Sequence, residues 1–353
     1  MRRLAVALLV ATMLASCTTT TTGAPPVVAP IVTAPIVTVE VQARGETAAV
    51  ETRDADAADD PAIWRNPRKP AASLIVATDK RAGLHVYDLD GSDRSFVAAG
   101  RVNNVDLKDM ASAGIIVAAS DRGDKTAAML ALYRLDPRAA TLTPLGKIAV
   151  GAGEAYGTCL YREAGTLYAF NVLKGGKIVQ LAIDLSGATP AGKVVRTMKL
   201  ATQSEGCVAD ERTHRVYVAE EDVGIWRFDA RASGSTEAHK VADADGRAIA
   251  ADTEGLTLAA EGRDGSYLLV SSQGDNAYAV YSLRDERFAG RFRIAAAAFG
   301  STEETDGIDI ALGNFGPRYP GGLFVAQDGQ NAPRAQNFKF VAWRDIKRAL
   351  GLK

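Results

Sequence analysis

The chain has 353 residues, of which 47% are hydrophobic, and a formal charge of −1 at neutral pH. That length and apolar content can bury a large core, and the balanced charge excludes both a disordered chain and a nucleic-acid binder that works through bulk charge. Function must therefore lie in local groupings of charge.

The first 17 residues read MRRLAVALLVATMLASC, a basic start followed by an apolar run from Leu4 to Leu14. The run is shorter than the ~20 residues that cross a bilayer, so residues 1–16 are expected to be a signal peptide. The tetrad at 14–17 resembles a bacterial lipobox, in which Cys17 is acylated and becomes the N-terminus. Thr18 rather than Asp follows it, which by resemblance to Gram-negative lipoprotein sorting implies an outer-membrane lipoprotein facing the periplasm or the cell surface. Residues 17–39, with a TTTTT run and the repeated APIVT, have no core of their own and read as a tether.

From residue 40 to 353 one pattern recurs six times. Apolar second strands occur at LIVATDK (74–80), IIVAASDRG (115–123), LYAFNVLKG (167–175), VYVAEEDVG (216–224), YLLVSSQGD (267–275) and LFVAQDGQN (323–331), each followed by an aromatic third strand such as GLHVYDL or GIWRFDA. A repeat of roughly 50 residues made only of short strands predicts an all-β, six-bladed β-propeller. The sixth repeat ends at Trp343 and a basic tail, RDIKRALGLK, without a fourth strand. The alternating segment at 37–53, VTVEVQARGETAAVETR, is therefore expected to join the final blade and close the ring. Cys159 and Cys207 fall on the first strands of neighbouring blades. They read as two small buried hydrophobes rather than a bridge, because a domain of this size needs no staple.

Each second strand is preceded by a first strand with a polar start, marked by Asp60, Asp106, Tyr156, Glu205, Glu254 and Asp306. First strands line a propeller's channel, so these markers should ring one mouth. Carboxylates and amides gathered there are hard oxygen donors suited to Ca²⁺. The candidates are Asp59, Asp60, Glu205, Glu220, Glu221, Asp222, Glu254, Gln273, Asp306, Asp309, Asp328 and Asn337, whereas three histidines without ligand spacing argue against zinc. Lys80, Arg81, Arg122 and Lys174 follow the second strands of blades one to three and should share one side of the ring. Calcium, carboxylates and bases together suit an oxyanion-rich ligand such as a phosphate ester. Neither an RHGxRxP signature nor a Cys-x5-Arg loop is present, which leaves metal-activated water as the route to hydrolysis. A calcium-dependent lactonase or phosphotriesterase propeller and a non-catalytic binding propeller are the alternatives.

The segments DADAADDPAIW (54–64), TDKRAGLHVYDLDG (78–91), NNVDL (103–107), AEEDVGIW (219–226), EGL (254–256), SSQG (271–274), TDGIDI (305–310) and the final VAQDG and QNFKFVAW together resemble the β-propeller phytases, over residues 40–350. The resemblance implies a calcium-dependent phosphatase acting as a monomer on phytate, with several calcium ions and two neighbouring substrate phosphates meeting at a shallow acidic mouth. It implies metal ligands at Asp59, Asp60, Glu205, Glu220, Glu254, Gln273, Asp306, Asp309 and Asn337, and phosphate contacts at Lys80, Arg81, Arg122, Tyr156 and Lys174. Catalysis would rest on Lys80, Arg122, Tyr156 and Glu205. Arg81 and Lys108 depart from the family's usual Lys and Arg, which keeps charge but changes donor geometry.

Overall fold

Second strands such as Leu74–Asp79, Ile115–Asp121 and Gly322–Asp328 are buried at every position, which is why they read as unbroken apolar runs. The computed structural model describes residues 36–53 and 56–353, where these strands form six sheets, antiparallel except for one N-terminal strand, arranged as a six-bladed propeller. The signal peptide, Cys17 and the tether up to residue 35 lie outside the described residues. The first strand, Thr38–Gln42, begins inside the segment expected to be tether.

The innermost strands are Ala58–Trp64, Val102–Asp109, Ala155–Glu163, Ser204–Asp210, Thr253–Glu261 and Ile308–Leu312. The final blade gains its fourth strand from Gly45–Glu46, which pairs antiparallel with Asn337–Ala342. Ring closure thus uses the N-terminal segment, but the segment divides. Thr38–Gln42 pairs in parallel with Phe288–Ala295 and makes the fifth blade five-stranded. The basic tail is a helix, Trp343–Leu350, whose Trp343 and Ile346 are buried.

Neighbouring inner strands are tied across most seams by side chains. Asp60 Oδ2 accepts the Val105 amide at 3.0 Å, Asp106 Oδ2 accepts that of Leu160 at 2.7 Å, and Asp309 Oδ2 accepts that of Ile63 at 2.8 Å. Thr257 Oγ1 reaches Asp309 Oδ1 at 2.9 Å and accepts the Ile310 amide at 3.1 Å. Between blades three and four the tie is covalent: Cys159 and Cys207 form a disulfide, with Cα atoms 5.7 Å apart. The expectation of two unbridged cysteines is corrected here. Both are buried as expected, but their separation of 48 residues is one blade repeat, which sets them side by side on adjacent inner strands.

Candidate active site

The pairing of first with second strand is interrupted near the start of five blades: between Ala58 and Pro61, Val102 and Val105, Ala155 and Gly157, Ser204 and Cys207, and Thr253 and Leu256. Such bulges re-aim side chains. The residues they release are Asp59 and Asp60, Asn103 and Asn104, Tyr156, Glu205, and Glu254, with Asp306 preceding the inner strand of blade six. Blade two therefore presents Asn103 at the mouth and not Asp106. Asp106 lies in the regular ladder opposite Ala118, three residues and about 10 Å further along the strand. A glycine follows the released residue in blades three to six because the next blade's backbone crowds it: a Cβ on Gly157 would strike the Glu205 carbonyl, and one on Gly206 the Glu254 carbonyl.

One half of the mouth is acidic. Carboxylate oxygens of Glu205, Glu221 and Glu254 lie within 4.8 Å of one another, and all three residues are buried. Glu221 Oε1, Glu254 Oε2 and both oxygens of Asp59 have no hydrogen-bond partner. Lys80 Nζ touches Asp59 at 3.3 Å and Asp306 at 2.7 Å and also meets Asp56, so the Asp59 contact is one of charge without hydrogen-bond geometry. Gln273 Nε2 donates to Asp306 Oδ1. Burial, reinforced by the charges of Asp59 and Asp306, holds Glu205 well above the usual carboxylate range. Glu254 is raised by burial and by Glu205. Burial and Asp252 push Glu221 up to about 7, and burial lifts Asp306 to about 6 against the pull of Lys80. Burial would depress Lys80, but Asp59, Asp306 and Asp56 outweigh it and keep the ammonium charged.

The other half is cationic. The Tyr156 ring lies 5.8 Å from the Arg122 guanidinium carbon and 4.9 Å from Lys174 Nζ. Burial and the nearby Glu205 and Glu254 raise the Tyr156 hydroxyl far above its ordinary value, so it remains a donor. Asn103 joins the halves: its Oδ1 accepts from Arg122, and its Nδ2 donates to Glu205 Oε1 at 2.7 Å. Arg81 sits at the edge, 3.9 Å from Asp56.

Three of the expected metal ligands lie elsewhere. Glu220 accepts from the Thr202 amide at 2.7 Å, Thr202 Oγ1 at 2.8 Å and Trp226 Nε1 at 2.7 Å, and it is the next residue, Glu221, that joins the triad. Asn337 Oδ1 accepts from Lys339 Nζ at 2.9 Å in a separate network in which that fully buried ammonium also meets Glu46 and Asp328. Asp309 belongs to the inter-blade ties. Asp60 has Oδ2 committed to Val105, and burial together with the Asp59 charge raises it well above its ordinary value. Asn103, Asp56 and Asp252 join the surroundings of the site beyond the residues expected from the sequence. Asn103 was signalled by its place at the start of NNVDL, at the same blade position as Glu205 and Glu254.

A sequence model of the family described as Phytase matches residues 5–353. A 3-phytase of Bacillus subtilis (strain 168) is 39% identical over 328 residues, covering 88% of this chain and 86% of that protein. Among solved structures, a chain from the crystal structure of the mitotic checkpoint complex matches with a TM-score of 0.52 at 12% identity, covering 93% of this chain and 99% of that chain, a likeness of fold alone. On the first two of these matches, this chain belongs to the phytase family.

Proposed function

We propose that this phytase-family chain hydrolyses phytate to lower inositol phosphates and phosphate with the help of calcium, at the mouth where the two halves meet. One observation carries the reading: buried carboxylate oxygens without partners in Glu221, Glu254 and Asp59 face, across Asn103, a tyrosine flanked by two bases. Buried carboxylates at such spacing are costly unless a cation lies among them, and their all-oxygen donor set fits calcium. Glu205, Glu221 and Glu254 would hold one ion, with Asp59 and Asp306 the next donors and Gln273 at the edge. Calcium bound there would neutralise a polyanionic substrate and supply a water of lowered pKa.

The protein's own groups bind and orient. Arg122 offers a planar fork to a phosphate and Lys174 a point charge, both beside the Tyr156 ring. The Tyr156 hydroxyl stays protonated and donates. Lys80, charged and tethered among Asp56, Asp59 and Asp306, supplies a further donor on the blade-one side, with Arg81 beside it at the rim. Pre-positioned charges of this kind stabilise charge developing on the phosphoryl oxygens. A hydrolase for neutral esters has no need of the cationic half.

Titrating the purified protein with calcium in the presence of phytate tests this. Phosphate release should appear with calcium and vanish with a chelator, and release that ignores the metal would refute the calcium reading. The N-terminal sequence supports an outer-membrane lipoprotein acylated at Cys17, and the disulfide suits an oxidising compartment. In cell fractions the enzyme should sediment with membranes, and Cys17→Ala should release it; a membrane-free wild type would overturn the anchor.

A further inference from the structure

We infer that the Cys159–Cys207 disulfide is a positioning device that fixes the cationic half of the mouth against the acidic half. The inference rests on the function proposed above. Cys159 lies three residues after Tyr156, and Cys207 two residues after Glu205, on the innermost strands of blades three and four. Tyr156 carries the Arg122 and Lys174 cations, while Glu205 is one corner of the carboxylate triad. The border between the two halves of the site therefore runs along this seam.

Blades three and four are separate sheets, so no backbone ladder couples them. What crosses the seam near the mouth, besides the disulfide, is the packing of Gly157 on the Glu205 carbonyl and a long 3.5 Å contact from Gln203 Nε2 to the Tyr156 hydroxyl, with the Asn103 bond from blade two to Glu205 beside them. Seams one–two, two–three and six–one carry a carboxylate accepting a neighbour's amide, a tie that can stretch. The covalent link stands where a cation held by Glu205 and a phosphate held beside Tyr156 must keep a fixed separation. Groups that hold metal ligands in place are typically worth 10–100-fold in affinity, and displacing substrate-holding groups by about an ångström costs comparably.

The experiment compares the full chain in its oxidised state with a Cys159→Ser/Cys207→Ser variant and with protein reduced by a phosphine. Calcium binding is read from the calcium-induced rise in Tm, and phytate kinetics are followed well below every Tm. On loss of the bridge, half-saturating calcium and the KM for phytate should each rise on the order of tenfold, with kcat falling less, and reoxidation of the reduced protein should restore both. Unchanged calcium midpoint and KM beside a lower Tm would overturn the inference, leaving the bridge a plain staple. Should the double variant not fold, the reversibly reduced protein gives the same readout. Absence of calcium-dependent turnover in the oxidised protein would instead sink the proposed function, while the calcium midpoint from Tm still judges the bridge.

Discussion

Two neighbouring glutamates show how finely the site is divided. Glu220 ends a strand opposite Gly224, and its carboxylate is consumed by Thr202 and Trp226; these hydrogen bonds hold its pKa below the usual value despite burial. Glu221, one residue later in the turn, faces Glu205 and Glu254 with one oxygen free of partners. Glu220→Ala should therefore cost about 1–3 kcal/mol of stability by stranding buried donors, with the calcium midpoint unmoved. Glu221→Gln should weaken calcium binding on the order of tenfold or more and leave the calcium-free protein no less stable, since a repulsive buried charge is gone. Urea melts and calcium titrations of the two variants check the pair, and a calcium shift in Glu220→Ala would contradict the assignment. The sequence motif could not separate them. Both lie in VAEEDVG, and only the point where strand pairing stops decides which one turns inward.

At the level of elements, legibility followed burial. Second strands are buried on both faces along most of their length and third strands largely so, which is why their apolar runs are legible in the sequence and give the blade count. Outer strands are less visible: Ala191–Lys199 is largely exposed and His239–Asp243 only half-buried, as free edges are. The terminal helix buries only Trp343 and Ile346, too few positions for a helical period to emerge from a basic tail. The N-terminal segment reads as one alternating strand, yet only Gly45 and Glu46 pair with blade six while Thr38–Gln42 extends blade five. Alternation specifies a half-buried strand and not its partner. Markers at blade spacing located the acidic mouth, but the bulges displaced the blade-two position from Asp106 to Asn103, which no periodicity encodes. The 48-residue spacing of the disulfide is the blade repeat, which sets the two cysteines side by side, whereas domain size bears on the need for a staple and not on adjacency.

For the whole molecule, gathering buried acids at one mouth couples fold stability to protons and, under the proposed function, to calcium. Glu221 rises from 4.5 to about 7 and Asp306 from 3.8 to about 6, while Glu205 and Glu254 are raised well above their ordinary values, in each case chiefly by burial. An acid whose folded pKa is raised binds more protons folded than unfolded between the two values, so the stability it contributes is present below the unfolded pKa and is lost as pH rises through the folded one. Glu46 runs the other way: hydrogen bonds from Lys339, Arg334 and Asn337 overcome its burial and lower it to about 2, so its contribution fades only as pH falls from about 4.5 toward that value. The Glu46 window ends where that of Glu221 begins, and it overlaps that of Asp306 only between 3.8 and 4.5. Calcium-free protein should therefore lose Tm steadily as pH rises from about 4.5 to about 7, the span set by Glu221. A cation among the same oxygens competes with those protons and stabilises by mass action, so the rise in Tm on adding calcium should grow across that window and flatten the pH profile. Scanning Tm against pH with calcium and with a chelator measures both curves, and a calcium increment that is the same at either end of the window would show that the buried acids of the mouth are not where the metal binds.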